Sequence, residues 1–243
     1  MLPIRDINPT RVFPIVTLLL IAANVAVFFL VQPFGDPESQ EAVEFVYRHA
    51  AIACELTTGE PLSLDEINLE FCEDGGRGHF SDKNVWLAAL VSMFLHGGFA
   101  HILFNMWTFW IFGNNVEEAC GRFGFLLLYA LAGIVATAGF VLLNRDSTIP
   151  LVGASGAIAG IMGAYVVLFP RHRVLTLVFF YLVAIPSAIF LAIWFATQFL
   201  LAGGDSNVAW EAHVFGFAFG VLVTLPLRGQ LMGRTSEALQ RRS

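Results

Sequence analysis

The sequence reads as an all-α polytopic membrane protein, a bundle of six transmembrane helices. Four observations predict this. Of the 243 residues, 57% are hydrophobic and 13% charged, where a soluble domain carries about 25% charged residues. The mean hydropathy is +0.71. Apolar runs recur along the chain at lengths near the roughly 20 residues that a span requires. The basic residues gather between alternate runs, as they do in the cytoplasmic loops of membrane proteins.

The first run, residues 13–31, follows a short N-terminal segment, 1–12. A signal peptide is the rival reading, but Gln32-Pro33-Phe34 lacks the small residues of a cleavage site. The remaining expected spans are Phe99–Phe112, Phe123–Leu143, Ser155–Phe169, Val174–Leu201 and Trp210–Leu227. Leu87–Leu95 is apolar but short, and reads as an interfacial or re-entrant piece before His96-Gly97-Gly98. The core therefore runs over 86–227, with a basic tail at 228–243. With the N-terminus inside, Arg5, Arg11, Arg122, Arg171, Arg173, Arg228, Arg234, Arg241 and Arg242 lie inside, nine of the thirteen basic residues. Arg48, Arg77, Lys83 and Arg145 lie outside. Both termini are thus expected in the cytoplasm, in a multi-pass protein of the cell membrane.

Residues 32–85 form an outer loop holding twelve of the nineteen acidic residues. Within it, Val43, Val46, Tyr47 and Ala50 follow helical spacing and predict an amphipathic helix between Pro37 and Ala53. A solvated loop that helps orient the chain and a partner-binding element are both open readings of this segment. Cys54 and Cys72 share the loop, where an oxidising compartment permits a bridge. Cys120 falls on the inner side as a free thiol. The net charge of −6, with no basic stripe outside the tail, excludes a nucleic-acid partner.

Polar side chains inside spans are costly and point to function. Here they are His101 and Asn105, Glu117, Ser155, Thr197, Gln198 and His213. His101 and Asn105 are four apart, on one helix face. They could simply hydrogen-bond at a helix interface. Ser155 stands in Gly153-Ala154-Ser155-Gly156, and could simply cap its helix. However, the fifteen residues from Ser155 to Phe169 reach only about 22 Å, less than the ~30 Å hydrocarbon core. Pro170-Arg171-His172-Arg173 anchors the inner end, so the Ser155 end sinks below the outer surface. Non-helical backbone at that depth is tolerated beside protein or a water-filled cavity. His213, a turn into the last span, lies at a similar depth. A serine needs an adjacent base, and an imidazole is the usual one. Neither Asp205 nor Glu211 is placed to complete a triad, so a Ser155–His213 dyad is expected. His101, Asn105 and the Ser155 backbone N–H are candidate oxyanion donors. Small residues at Gly156, Gly160 and Gly163, and at Ala212, Gly216 and Gly220, predict close packing of the two spans that carry the dyad.

Together, HGGFAHILFNMWTFWIFGNNVE, GASGAIAG and AHVFGFAFG resemble the rhomboid intramembrane serine proteases, over roughly Trp86 to Leu227. The order of the motifs and the six-span layout match the family's bacterial members. The resemblance implies Ser155 as nucleophile, His213 as general base, and His101 and Asn105 as oxyanion donors. It implies that Gly153 and Gly156 shape the serine loop, and that Glu117 is structural. The implied substrates are transmembrane proteins in a lipid bilayer, cut in or beside their spans, with no metal and no cofactor. The implied setting is a bacterial plasma membrane. Trp86-Leu87 stands where many members have Trp-Arg. Ala159 stands where many bacterial members have an aromatic under the histidine, so His213 is expected to be held differently. An inactive rhomboid-like protein that binds membrane clients is the alternative. A zinc protease or transporter using His96, His101 and His213 is disfavoured by the absence of HExxH.

Overall fold

The computed structural model describes residues 1–8, 10–33, 35–36, 39–73, 78–201 and 208–240, and their side chains except at 201 and 234–240. Arg77, Asp205, Arg241 and Arg242 lie outside the described residues, as does the side chain of Arg234. In chain order the elements are β1 (Leu2–Asp6), α1 (Ile15–Leu30), α2 (Gln40–His49), β2 (Ala51–Ile52), α3 (Ala53–Thr58), α4 (Leu64–Leu69) and α5 (Val85–Val91). A 3₁₀ turn at Ser92–Phe94 follows, then α6 (Phe99–Leu143), β3 (Pro150–Leu151), α7 (Ser155–Leu168), β4 (Arg173–Val178), β5 (Tyr181–Pro186), α8 (Ser187–Leu201) and α9 (Trp210–Gln240).

The protein is mostly helical, but the expectation of an all-α fold needs correction. β1, β4 and β5 form an antiparallel three-stranded sheet, and β2 pairs with β3. Among the described residues, two helices are long and apolar enough to cross a membrane, Phe99–Leu143 and Trp210–Gly233. Ile15–Leu30, Val85–Phe94, Ser155–Leu168 and Ser187–Leu200 are shorter apolar helices.

The stretch expected as one span from Val174 to Leu201 is a hairpin followed by a helix. The turn is tight at Phe179-Phe180, with Val178 opposite Tyr181 and Phe179 at a positive φ of 52°. Hydropathy cannot separate a buried strand from a helix. Residue type and Pro186 can: the segment is rich in Val, Thr, Phe, Tyr and Ile, which favour strands. Proline disfavours helix at the residue before it, so α8 starts only after Pro186. β1 completes the sheet along β4, with Leu2 opposite Leu177 and Asp6 opposite Val174. The other edge of β1 faces α6. Trp107 Nε1 donates to the Pro3 carbonyl at 2.8 Å, and Asn115 Nδ2 donates to Asp6 Oδ2 at 2.7 Å.

α6 holds two of the expected spans in one element. Gly121, at φ 71° and ψ 163°, breaks it, a conformation that needs glycine. The arms fold back on each other, since Phe109 stacks on Phe125 at 6.0 Å and meets Tyr129 at 5.2 Å. Glu117, buried near this bend, caps α1. Its carboxylate accepts from the N–H of Val16 at 2.9 Å and of Thr17 at 2.8 Å, and from Thr17 Oγ1. Pro14, the N-cap, offers no side-chain bond to do so. Glu117 is therefore structural.

α7 lies in the middle, against α6 and α9. The small-residue stripes meet as their spacing predicts. A Cβ on Gly216 would stand 2.1 Å from the Gly156 carbonyl, and one on Gly220 would stand 1.9 Å from that of Gly160. α9 continues past Leu227 to Gln240, beyond the expected end of the last span.

The acidic segment is a small folded unit. α2 falls within the expected amphipathic stretch, and Ser39 caps it. Cys54 and Cys72 are disulfide-bonded. Ile52, Cys54 and Leu62 form a core of their own, with Tyr47 and Ile67 packed around it. Lys83 and Glu55 pair beneath it, with side chains only 1% and 3% exposed. Burial raises the Glu55 carboxyl and lowers the Lys83 ammonium from their ordinary values, and each partner's charge acts against that shift.

Candidate active site

A cavity of about 1010 Å³ opens at the start of α7, lined by Ser155, His213, His101, Asn105, Gly153 and Gly156 among others. The six residues singled out from the sequence are thus gathered around one space. Three segments supply them, the serine loop with α7, the first arm of α6 and the first turn of α9, while the second arm of α6 lines the space with Gly133, Ala136, Thr137 and Phe140.

Ser155 is the first residue of α7. Ala154 is the N-cap and no side-chain cap bond is made, so Ser155 does not cap its own helix. Gly153 carries the turn into it at φ +123°, a region an L side chain rarely adopts. Space demands glycine as well, because a Cβ there would lie 2.9 Å from Cε1 and Nε2 of His101. Gly156 lies inside α7 rather than in the loop. Its missing side chain makes room for Ala136, whose Cβ would be 2.5 Å from a Cβ at this position.

His101 Nδ1 accepts the Gly97 N–H at 3.3 Å. That bond fixes the proton on Nε2, the nitrogen beside Gly153. One turn further along α6, Asn105 is buried and its Nδ2 has no hydrogen-bond partner among the described residues. A buried donor left unpaired costs about 1–3 kcal/mol. An acceptor arriving in the cavity recovers that cost.

His213 is held from α8. Its Nδ1–H donates to Gln198 Oε1 at 2.7 Å. The Gln198 amide is itself oriented, since Nε2 donates to the Trp194 carbonyl at 3.1 Å. The Trp194 ring sits 6.0 Å from the His213 ring, centroid to centroid. With Nδ1 occupied, Nε2 is the free nitrogen. Ala159 is fully buried, and the aromatic ring beside the imidazole is Trp194 of α8. Glu211 lines the same cavity but its carboxylate accepts from Asn144 Nδ2 at 3.1 Å, while the His213 Nδ1 partner is Gln198.

Two residues here carried no assigned role on sequence grounds. Gln198 was visible as a polar residue in a span, but nothing local ties it to His213. Ser92 gave no signal, because its partners are distant in the chain. Its hydroxyl donates to the Leu151 carbonyl and accepts the Ala51 N–H at 3.0 Å, and its carbonyl accepts the Gly153 N–H at 2.9 Å. Among the described residues no three His, Cys, Asp or Glu side chains are grouped to hold a metal ion.

Comparison with known proteins gives a consistent set of matches. Residues 83–230 match the model of the Rhomboid domain. The chain is 32% identical over 141 residues to the YdcA rhomboid of Bacillus subtilis, covering 57% of this chain and 66% of that one. It is 43% identical over 93 residues to the rhomboid protease GluP of the same organism, covering 37% and 18%. It is 28% identical over 164 residues to the rhomboid protease AarA of Providencia stuartii, covering 62% and 50%. The chain therefore spans two thirds or less of the length of each of these relatives.

Proposed function

Because the chain belongs to the rhomboid family, we propose that it is an intramembrane serine protease acting by a Ser155–His213 dyad. The observation that carries this reading is the cavity at the start of α7. It collects a serine, a histidine with one nitrogen held and the other free, and an unpartnered buried amide donor.

In the proposed reaction, His213 Nε2 takes the Ser155 Oγ proton as Oγ attacks the scissile carbonyl. The oxyanion forms between Asn105 Nδ2, His101 Nε2–H and the Ser155 backbone N–H. Collapse breaks the C–N bond, and the imidazolium returns its proton to the leaving amine. Water, deprotonated by the same nitrogen, then cleaves the acyl ester and frees Ser155. Gln198 holds the imidazole in the tautomer this requires. The residues present need no metal for these steps.

The membrane arrangement belongs to the same proposal. α1, the two arms of α6, α7, α8 and the first part of α9 make six passages through a bacterial plasma membrane, with both termini cytoplasmic. Substrates are transmembrane proteins, cut in or beside their spans. The test is cleavage of a single-span substrate in proteoliposomes by wild type and Ser155→Ala. Cleavage lost in the variant supports the reading. Equal cleavage refutes the nucleophile, and substrate captured without cleavage by wild type returns the client-binding alternative.

A further inference from the structure

The folded unit of residues 40–73 and 78–84 is joined to the serine loop through its backbone. Ala51 pairs with Leu151 and Ile52 with Pro150, so β2 is hydrogen-bonded to the serine loop itself. The Cys54 N–H donates to the Ser147 carbonyl at 3.0 Å, fastening the loop at its start. Ser92, only 3% exposed, joins the two strands: its hydroxyl takes the Ala51 N–H and gives its proton to the Leu151 carbonyl. Its own carbonyl takes the Gly153 N–H at 2.9 Å, two residues before Ser155. Immediately beyond β2, the Cys54–Cys72 disulfide ties the strand to the rest of the unit. Residues 50 to 54 are almost wholly buried, which fits a wedge between unit and loop better than a solvated strap.

The serine loop needs such support. Gly153 allows a wide range of backbone conformations, and the loop lies where β3, two residues long, is its only regular element. A nucleophile must sit within fractions of an ångström of its productive position, and a displacement near 1 Å can cost about 10²-fold in rate. We propose that Ser92 is a positioning residue of the active site, holding the serine loop by its hydroxyl at Leu151 and by its carbonyl at Gly153, and that β2, locked by the Cys54–Cys72 disulfide, is the strut that braces the same loop ahead of Ser155. This rests on the protease reading above.

The experiment uses full-length protein in proteoliposomes. Fluorophosphonate titration counts reactive serines, and kcat and KM for a single-span substrate are expressed per titrated site. Ser92→Ala removes both hydroxyl bonds, and Ser92→Thr keeps them. The expected result is a fall in kcat per site of about 10–10²-fold in Ser92→Ala, with KM little changed and most of the rate recovered in Ser92→Thr. A role in folding alone would reduce the number of titrated sites and leave kcat per site unchanged, and that result overturns the proposal. Cys54→Ser/Cys72→Ser tests the same strut without touching Ser92, and covers the case in which Ser92→Ala yields no folded protein. Its kcat per site should also fall at little-changed KM, and an unchanged kcat overturns the role of the strut. Wild-type protein that neither labels nor cleaves would refute the protease reading itself, and this inference with it.

Discussion

His213 hangs between two residues of α8, an amide that fixes its proton and an indole beside its ring. Replacing Gln198 by leucine keeps the bulk and removes the acceptor. The imidazole then loses its orientation, and kcat should fall by about 10–10²-fold while KM stays near wild type. Steady-state kinetics per titrated site check this. Asn105 lines the cavity with a donor that has no partner among the described residues, so Asn105→Ala should fold normally. Its kcat should fall by about 10²–10³-fold, or roughly 3–4 kcal/mol of transition-state stabilisation. An unchanged kcat would make Asn105 a packing residue. At this scale much was legible in the sequence. Ser155 and His213 stand out because each is polar in an apolar run, and Gly153 marks a turn only glycine can make. Gln198 and Ser92 were not assigned, because their partners lie 15, 41 and 59 residues away and no local spacing encodes such contacts.

α7 and α9 touch backbone to backbone, and the glycines that permit this were predictable from their spacing by three and four. Gly216→Ala would put a methyl 2.1 Å from the Gly156 carbonyl, an atom of the backbone that cannot rotate away. The helices must separate, at a cost of about 1–3 kcal/mol, and the thermal midpoint in detergent should drop. Activity should fall with it, because α7 carries Ser155 and α9 carries His213. The β4–β5 hairpin was the element least legible in advance. Its residues are as apolar as a span, and only the β-forming composition, Pro186 and the distant strand β1 distinguish it from a helix. The amphipathic α2 was legible from its period. The pairing of β2 with the serine loop was not, since two-residue strands leave no pattern.

For the molecule as a whole, the proposed protease reading makes the cavity at the N-terminal end of α7 a constraint on what could be cut. A peptide bond inside a helix is shielded by its own backbone, so the substrate must be locally extended before Ser155 can reach it. In lipid that sacrifices hydrogen bonds that are expensive to leave unmade. Gly or Pro near the cut lowers this cost, and a small residue suits the tight surroundings of Gly153. Single-span substrates carrying Gly should therefore be cut faster than a poly-Leu span. The cut should fall toward the side where Ser155 and His213 lie, the outer face in the proposed orientation. Product mapping by mass spectrometry checks both expectations, and cuts in the cytoplasmic third would contradict the proposed orientation.

The central claim is that Ser155, activated by His213, is the nucleophile. The most direct measurement is to treat membranes with a fluorophosphonate and map the adduct by peptide mass spectrometry in wild type, Ser155→Ala and His213→Ala. The account predicts a single adduct on Ser155, absent in Ser155→Ala and nearly absent in His213→Ala. An adduct elsewhere, or labelling of Ser155 at the wild-type rate in His213→Ala, would contradict it.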